Sequence, residues 1–131
     1  MKARLLLVED EPDVALIARA AFVRAGFDVR TAGDGAEALT LASEGTDLIV
    51  LDWMLPGLSG IETCARLKSD PRTTHIPVVF LTGKQDEASH AKCIELGAVG
   101  CITKPFNPLS LGDQVIALWR SSGQRPHSQK R

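Results

Sequence analysis

Four short apolar runs constrain the fold of this chain more than any other feature. They occupy residues 5–8, 48–51, 78–81 and 99–102, and a weaker, alternating run occupies residues 27–31. Short runs that are rich in branched residues are typical of strands buried on both faces of a parallel sheet. The chain is therefore expected to place five strands in one sheet.

Segments with helical spacing separate these runs. Start signals precede three of them: Asp34 with Glu37, Ser59 with Glu62, and Asn107 with Pro108. The pattern after the first run is expected to end at Gly26, and residues 86–96 read as a short helix that ends at Gly97. Each predicted strand is therefore followed by a predicted helix.

Five strand–helix repeats predict an α/β domain of the doubly wound kind. Its parallel sheet would carry helices on both faces, as a three-layer sandwich, with right-handed crossovers. We assign the domain to residues 1–120. Residues 121–131 are polar and are expected to form a tail or linker.

Composition excludes several classes of protein. The 131 residues include 15 basic and 16 acidic side chains, so no basic excess favours direct binding to nucleic acid. The apolar run near the N-terminus is too short for a signal sequence or a membrane span. Cys64, Cys93 and Cys101 lack metal-type spacing, and reduced thiols fit a cytoplasmic protein.

Acids, hydroxyl residues or a lysine follow four of the five predicted strands, together with a glycine and a proline. They are Glu9, Asp10 and Glu11 after the first, Asp52 after the third, Thr82 and Gly83 after the fourth, and Thr103, Lys104 and Pro105 after the fifth. Ligands of open α/β sheets bind beyond the carboxyl ends of the strands, so these residues are expected to meet there.

The chemistry of this group points to phosphate. Glu9, Asp10 and Asp52 crowd negative charge that a cation would relieve, and a set of oxygen ligands favours a hard cation such as Mg²⁺. Lys104 could pair with Asp52 or with a phosphoryl group on it, and Thr82 could donate to a phosphoryl oxygen. Formation of an aspartyl-phosphate is an established use of a carboxylate nucleophile.

Four segments in this order make the chain resemble the receiver domain of two-component response regulators, of the chemotaxis-regulator type. They are LLLVEDE, LIVLDWMLPGLSG, VVFLTG and CITKPF, and the resemblance covers residues 3–120. It implies a flavodoxin-like strand order of 2-1-3-4-5. It also implies that Asp52 accepts a phosphoryl group from a histidine kinase or a phosphotransfer protein.

The resemblance assigns further roles at the site. Mg²⁺ would be bound by Glu9 through water, by Asp10, by Asp52 and by the backbone carbonyl of Met54. Phosphate contacts and the switch are implied for Thr82, Gly83, Lys104 and Pro105, with the Lys104–Pro105 peptide in the cis form. Glu11 is expected to face solvent.

The resemblance also implies how the signal leaves the domain. A downstream protein or a fused output domain would contact the fourth helix, fifth strand and fifth helix, and the domain would be a monomer or weak dimer. Such a domain is not an enzyme in the usual sense, although it assists its own Mg²⁺-dependent phosphorylation and dephosphorylation.

Three positions depart from the common pattern or tune it. Cys101 stands where many receivers have an aromatic residue that reorients on phosphorylation, so the switch is expected to run through the loop after Thr82 or through another face. The resemblance implies that Met54 and Lys84 occupy two loop positions that influence the lifetime of the phosphoryl group. Since Met54 cannot position a water molecule, we expect that lifetime to be moderately long.

Other functions fit the sequence less well. A dehalogenase-type phosphatase needs a second aspartate two residues after the first, where this chain has Met54. A nucleotide-binding domain needs a glycine-rich loop after the first strand, where this chain is acidic. A docking module with the receiver fold but no phosphorylation stays open as the alternative, as does the choice between a stand-alone receiver and part of a longer regulator.

Overall fold

The computed structural model describes residues 2–83 and 87–122 of the chain. Strands and helices alternate along it, as the sequence predicts. In chain order they are β1 (Arg4–Val8), α1 (Pro12–Arg24), β2 (Asp28–Ala32), α2 (Gly35–Ala42), β3 (Leu48–Asp52), α3 (Gly60–Ser69), β4 (Val78–Thr82), α4 (Glu87–Glu95), β5 (Gly100–Thr103) and α5 (Pro108–Ser121).

The strands form one parallel sheet in the order β2-β1-β3-β4-β5. This order confirms the predicted flavodoxin-like topology. All residues of β3 and β4 are buried, which explains why their sequences are apolar runs rather than alternating patterns. The weaker, alternating run belongs to β2, an edge strand with exposed positions.

Successive side chains of each central strand point to opposite faces of the sheet. In β1, Leu5 and Leu7 join an apolar cluster with α1 and α5, whereas Leu6 and Val8 join a second cluster with α2, α3 and α4. The two clusters confirm the predicted sandwich of three layers. Burial of these faces is the main source of stability in such a fold.

The helix starts lie where the capping residues predict them. The side chain of Asp34 accepts a hydrogen bond from the backbone of Glu37, and Asn107 accepts one from Leu109. Ser59 and Glu62 form a complete capping box. Each cap satisfies N–H groups that a helix start leaves without a partner inside the helix.

Some boundaries differ from the sequence patterns. β5 begins at Gly100, which is in register with Val79 of β4, one residue after the start of the apolar run. Val99 still donates a backbone hydrogen bond to Val78, over 2.9 Å. Helix α4 is described from Glu87, so the predicted start at residue 86 lies outside the described residues, as do residues 123–131. In the described residues, no helix combines the length and apolarity needed to span a membrane.

Gly60 sets the path of the loop that follows β3. Its N–H donates to the carbonyl of Trp53 over 3.2 Å, so the start of α3 lies against the end of the strand. A Cβ at this position would overlap the Asp52 carbonyl oxygen and lie 2.9 Å from the Trp53 carbonyl oxygen. Both atoms belong to the backbone and cannot move aside as a flexible side chain can.

We therefore expect Gly60→Ala to destabilise the domain by about 2 kcal/mol, because overpacking against backbone forces the loop to shift. Urea unfolding would measure the change. Gly33→Ala is the matched control, since the nearest atom to its Cβ lies 4.0 Å away. Equal stability of the two variants would contradict a structural role for the close approach at Gly60.

Candidate functional site

The site lies at the carboxyl ends of β1, β3, β4 and β5. Asp52 is the last residue of β3 and is in register with Leu81 of β4, and Thr82 is in register with Thr103. Glu9 directly follows β1, and its N–H donates to the Ala32 carbonyl over 3.0 Å, which extends the pairing with β2. The parallel sheet thus brings distant parts of the chain to one edge.

Three carboxylates meet at this edge. One oxygen from each of Glu9, Asp10 and Asp52 lies within 4.8 Å of the other two. Glu9 and Asp52 are buried, with 4% and 3% of their surfaces exposed, whereas Asp10 is exposed. The arrangement offers oxygen ligands only, two of them shielded from water, which fits a hard divalent cation.

Lys104 places a positive charge between the two buried acids. Its Nζ lies 3.0 Å from Oε1 of Glu9 and 3.3 Å from Oδ1 of Asp52. The Lys104 backbone N–H donates to the carbonyl of Thr82 over 2.7 Å, so the end of β4 holds the residue in place. The ammonium group can therefore compensate either carboxylate without a change in backbone position.

Burial and charge act in opposite directions on these groups. Burial raises the pKa of Glu9, helped by the negative charge of Asp52, and Lys104 only partly offsets the effect. Burial alone would lower the pKa of Lys104. However, its hydrogen bond with Glu9 and the charges of Asp52 and Glu9 outweigh burial, and the pKa is raised. Lys104 is therefore firmly protonated.

Backbone donors orient the two buried carboxylates. The N–H of Met54 donates to Oδ1 of Asp52, and the N–H of Glu11 donates to Oε2 of Glu9, each over 3.2 Å. Trp53 is partly exposed and packs edge-on against Phe80, with ring centroids 5.0 Å apart. The position of the Asp52 carboxylate thus depends on the turn that begins beside it.

The remaining candidate residues differ in their burial and position. Thr82 is buried at the end of β4, and Gly83 is exposed directly after it. The Lys104–Pro105 peptide is cis, as the resemblance implies. The side chain of Met54 is 74% exposed. Lys84 lies outside the described residues, and Cys101 is half-buried in β5.

The comparison with known protein families decides to which family this chain belongs. The family model described as "Response regulator receiver domain" matches residues 5–116. The chain belongs to this family. The receiver-domain resemblance drawn from the four sequence segments is therefore confirmed.

Two sequence relatives illustrate the match. The alkaline phosphatase synthesis transcriptional regulatory protein PhoP of Bacillus subtilis is 42% identical over 123 residues, which cover 93% of this chain and 50% of that protein. The phosphate regulon transcriptional regulatory protein PhoB of Pseudomonas aeruginosa is 39% identical over 120 residues, covering 91% and 52%. The chain thus spans about half the length of the curated relatives it matches.

A solved structure supports the same fold. The chemotaxis response regulator CheY4 of Vibrio cholerae superposes with a TM-score of 0.84 and 28% identity. The match covers 90% of this chain and 99% of that one. The receiver domain therefore shares its fold with a chemotaxis regulator and resembles in sequence regulators that carry transcriptional names.

One contact in the receiver domain is missing from the sequence prediction. Glu11 is exposed, as expected, but its Oε1 lies 3.8 Å from Nζ of Lys104. Nothing in the local pattern indicates this contact, because β1 and β5 are not neighbours in the sheet. It places a third, solvent-screened carboxylate beside the ammonium group.

Replacement of Lys104 by methionine tests the charge balance. The variant leaves Glu9 and Asp52 buried without their cation, and we expect a loss of about 2 kcal/mol of stability near neutral pH. The loss should shrink toward about pH 5. A carboxyl group with a raised folded-state pKa binds protons more readily when folded, so acid favours the folded state.

Urea unfolding at both pH values would measure the effect. Lys92→Met is the matched control, since Lys92 is exposed and its Nζ lies 3.5 Å from exposed Glu95. Its effect should stay below about 0.5 kcal/mol. A Lys104→Met deficit that does not change with pH would rule out uncompensated buried charge as its cause.

Proposed function

We propose that this receiver domain accepts a phosphoryl group on Asp52 from a histidine kinase or a phosphotransfer protein. The observation that carries the proposal is the surroundings of Asp52. This buried carboxylate ends a central strand, lies 3.3 Å from the ammonium group of Lys104 and clusters with Glu9 and Asp10. A lone capping aspartate would need none of these neighbours.

The transfer is a nucleophilic substitution at phosphorus. A carboxylate oxygen of Asp52 attacks the phosphorus, and the bond from phosphorus to the donor's imidazole nitrogen breaks as that imidazole leaves and takes up a proton. The Met54 N–H and the Lys104 ammonium group both contact Oδ1 of Asp52, which restrains the carboxylate in one orientation. Such positioning contributes much of the catalysis in phosphoryl transfer.

The carboxylate cluster fits Mg²⁺. Glu9, through water, Asp10, Asp52 and the backbone carbonyl of Met54 would hold the ion. When bound, the ion neutralises charge that is shared between the carboxylates and the transferring phosphoryl oxygens. Exposed Asp10 leaves the site open toward solvent, from which the ion and the donor would arrive.

Lys104 and Thr82 would recognise the product. Once Asp52 carries the phosphoryl group, Lys104 can exchange its contact with the carboxylate for one with a phosphoryl oxygen. The hydroxyl of Thr82 would donate to another oxygen. Because Thr82 and Thr103 are in register, movement of Thr82 and Gly83 would be transmitted to the start of the segment that holds Lys104 and Pro105.

The output would use the surface formed by α4, β5 and α5. Phosphorylation would shift an equilibrium between two arrangements of the loop after Thr82. Cys101 has no aromatic ring whose reorientation could transmit the change, so the loop itself would have to do so. A downstream protein or a fused output domain would read the change. The transcriptional names of the long relatives support a fused domain in those proteins, and a cytoplasmic setting suits this chemistry.

The side chain beside the acceptor suits a long-lived phosphoryl group. Met54 has no polar atom at its side-chain tip that would position an attacking water molecule, and it is largely exposed. Lys84 would add positive charge near the site. The domain would thus promote its own phosphorylation more strongly than the hydrolysis that ends the signal.

The acceptor is tested by incubation with acetyl phosphate and Mg²⁺, followed by intact mass. We expect a gain of one phosphoryl group that is absent from Asp52→Asn and slow to disappear after the donor is removed. Asp28→Asn is the control, because Asp28 lies at the amino end of β2, whereas the site lies at the carboxyl ends of the strands. If neither a phosphoryl group nor a beryllofluoride complex forms, the phosphorylation-independent docking module becomes the better reading.

The metal site is tested by stability. Mg²⁺ at about one hundred times its dissociation constant should raise the free energy of unfolding by about 2.7 kcal/mol. Asp10→Asn should lose most of this gain because it removes a ligand, whereas Asp13→Asn in the first turn of α1 should keep it. Urea unfolding with and without Mg²⁺ measures the stabilisation of each variant. If Mg²⁺ stabilised both variants equally, Asp10 would not be a ligand of the ion.

A further inference from the structure

Glu11 occupies a capping position without serving as a cap. It is the N-cap residue of α1, with an extended backbone, and its side chain makes no capping hydrogen bond. Short polar side chains such as aspartate are preferred at this position because they accept a bond from the first N–H groups of the helix. The longer carboxylate of Glu11 is therefore available for a different contact.

That contact is with Lys104. Oε1 of Glu11 lies 3.8 Å from Nζ of Lys104, and the Glu11 side chain is 63% exposed. The backbone of Glu11 is fixed on both sides: its N–H donates to Oε2 of Glu9 over 3.2 Å, and its carbonyl accepts from the N–H of Ala15 over 2.9 Å. An exposed side chain on a fixed backbone thus reaches the ammonium group of the site.

The three carboxylates near Lys104 differ in their need for a cation. Glu9 and Asp52 lie 3.0 and 3.3 Å from Nζ, and their side chains are almost fully buried, so each requires compensation of its charge. Glu11 makes the longest of the three contacts and is solvated by water, so it requires none. Its contact therefore acts on the position of Lys104 and is not needed to keep Glu11 charged.

We propose that Glu11 is a positioning residue that competes with an incoming phosphoryl group for Lys104. This role rests on the proposed phosphorylation of Asp52, in which Lys104 exchanges its contact with Asp52 for one with a phosphoryl oxygen. The Glu11 carboxylate opposes that exchange because it attracts the ammonium group and repels the phosphoryl oxygens. Glu11 thus limits how readily the site takes up a phosphoryl group.

Exposure sets the size of this effect. An exposed ion pair changes an equilibrium constant by a factor of about 1.4 to 5. The interaction also passes through solvent, so dissolved ions screen it: the Debye length falls from about 10 Å at 0.1 M salt to about 3 Å at 1 M. Glu11 therefore tunes phosphorylation by a small factor that depends on ionic strength.

The experiment compares the protein with its Glu11→Gln variant, which removes the charge and keeps the size of the side chain. Intact mass follows phosphoryl uptake from acetyl phosphate, with Mg²⁺ saturating for each variant so that a change in metal affinity does not enter the rate. At low salt we expect uptake to be about three times faster in the variant. Calorimetry should show beryllofluoride bound about three times more tightly.

Salt and a matched control separate this role from a structural one. At about 1 M salt the two proteins should differ by less than about 1.5-fold, because screening removes the contribution of an exposed charge. A change in the shape of the site would persist at high salt. Asp13→Asn is the control, since Asp13 is an exposed acid in the first turn of the same helix, and it should leave uptake unchanged.

Glu11→Asp separates the contact with Lys104 from the negative charge itself. Aspartate keeps the charge, but it is one methylene shorter and is a preferred N-cap, so it should accept a bond from the first turn of α1 and release Lys104. We expect this variant to take up the phosphoryl group faster than the unsubstituted protein, as Glu11→Gln does. If only Glu11→Gln is faster, the charge at large is the cause and positioning of Lys104 is not.

The remaining outcomes distinguish this role from the phosphorylation on which it rests. If the unsubstituted protein is phosphorylated but Glu11→Gln takes up the group at the same rate or more slowly, the role of Glu11 is overturned and Asp52 remains the acceptor. An increase that persists at high salt also overturns it. If the unsubstituted protein binds neither a phosphoryl group nor beryllofluoride, the proposed function fails and the role of Glu11 fails with it. Circular dichroism confirms beforehand that each variant is folded.

Discussion

The ion pairs of Lys104 with Glu9 and Asp52 are the interaction on which the site depends. Two carboxylates that are almost fully buried would repel each other and favour protonation without a nearby cation. The ammonium group satisfies both, at 3.0 and 3.3 Å, from a backbone position held by β4. A phosphoryl group on Asp52 would compete for the same ammonium group, so the resting pairs and the proposed product state are alternatives.

This arrangement requires a sheet whose centre is rigid. The fully buried strands β3 and β4 hold Asp52 and Thr82, and apolar side chains pack against both of their faces. Beyond the strands, the structure becomes less constrained: Asp10, Gly83 and the side chain of Met54 are exposed. The acceptor thus lies on a rigid element, whereas the groups expected to move lie on loops, as in many binding sites on α/β sheets.

Most of the fold follows from local patterns in the sequence. Apolar runs predict the strands, capping residues such as Ser59 and Asn107 predict where helices begin, and the acids and Lys104 follow strand ends. These features are local because strand burial and helix capping depend on neighbouring residues. The family model confirms the class of domain that those segments indicate.

Only the tertiary structure decides which side chains touch. The contact of Glu11 with Lys104 joins the segment after β1 to the segment after β5, and these two strands are not neighbours in the sheet. The overlap that a Cβ at Gly60 would make with the Asp52 carbonyl likewise depends on how a helix start meets a strand end. Such contacts depend on strand order, register and side-chain direction together, and spacing along the chain carries none of these.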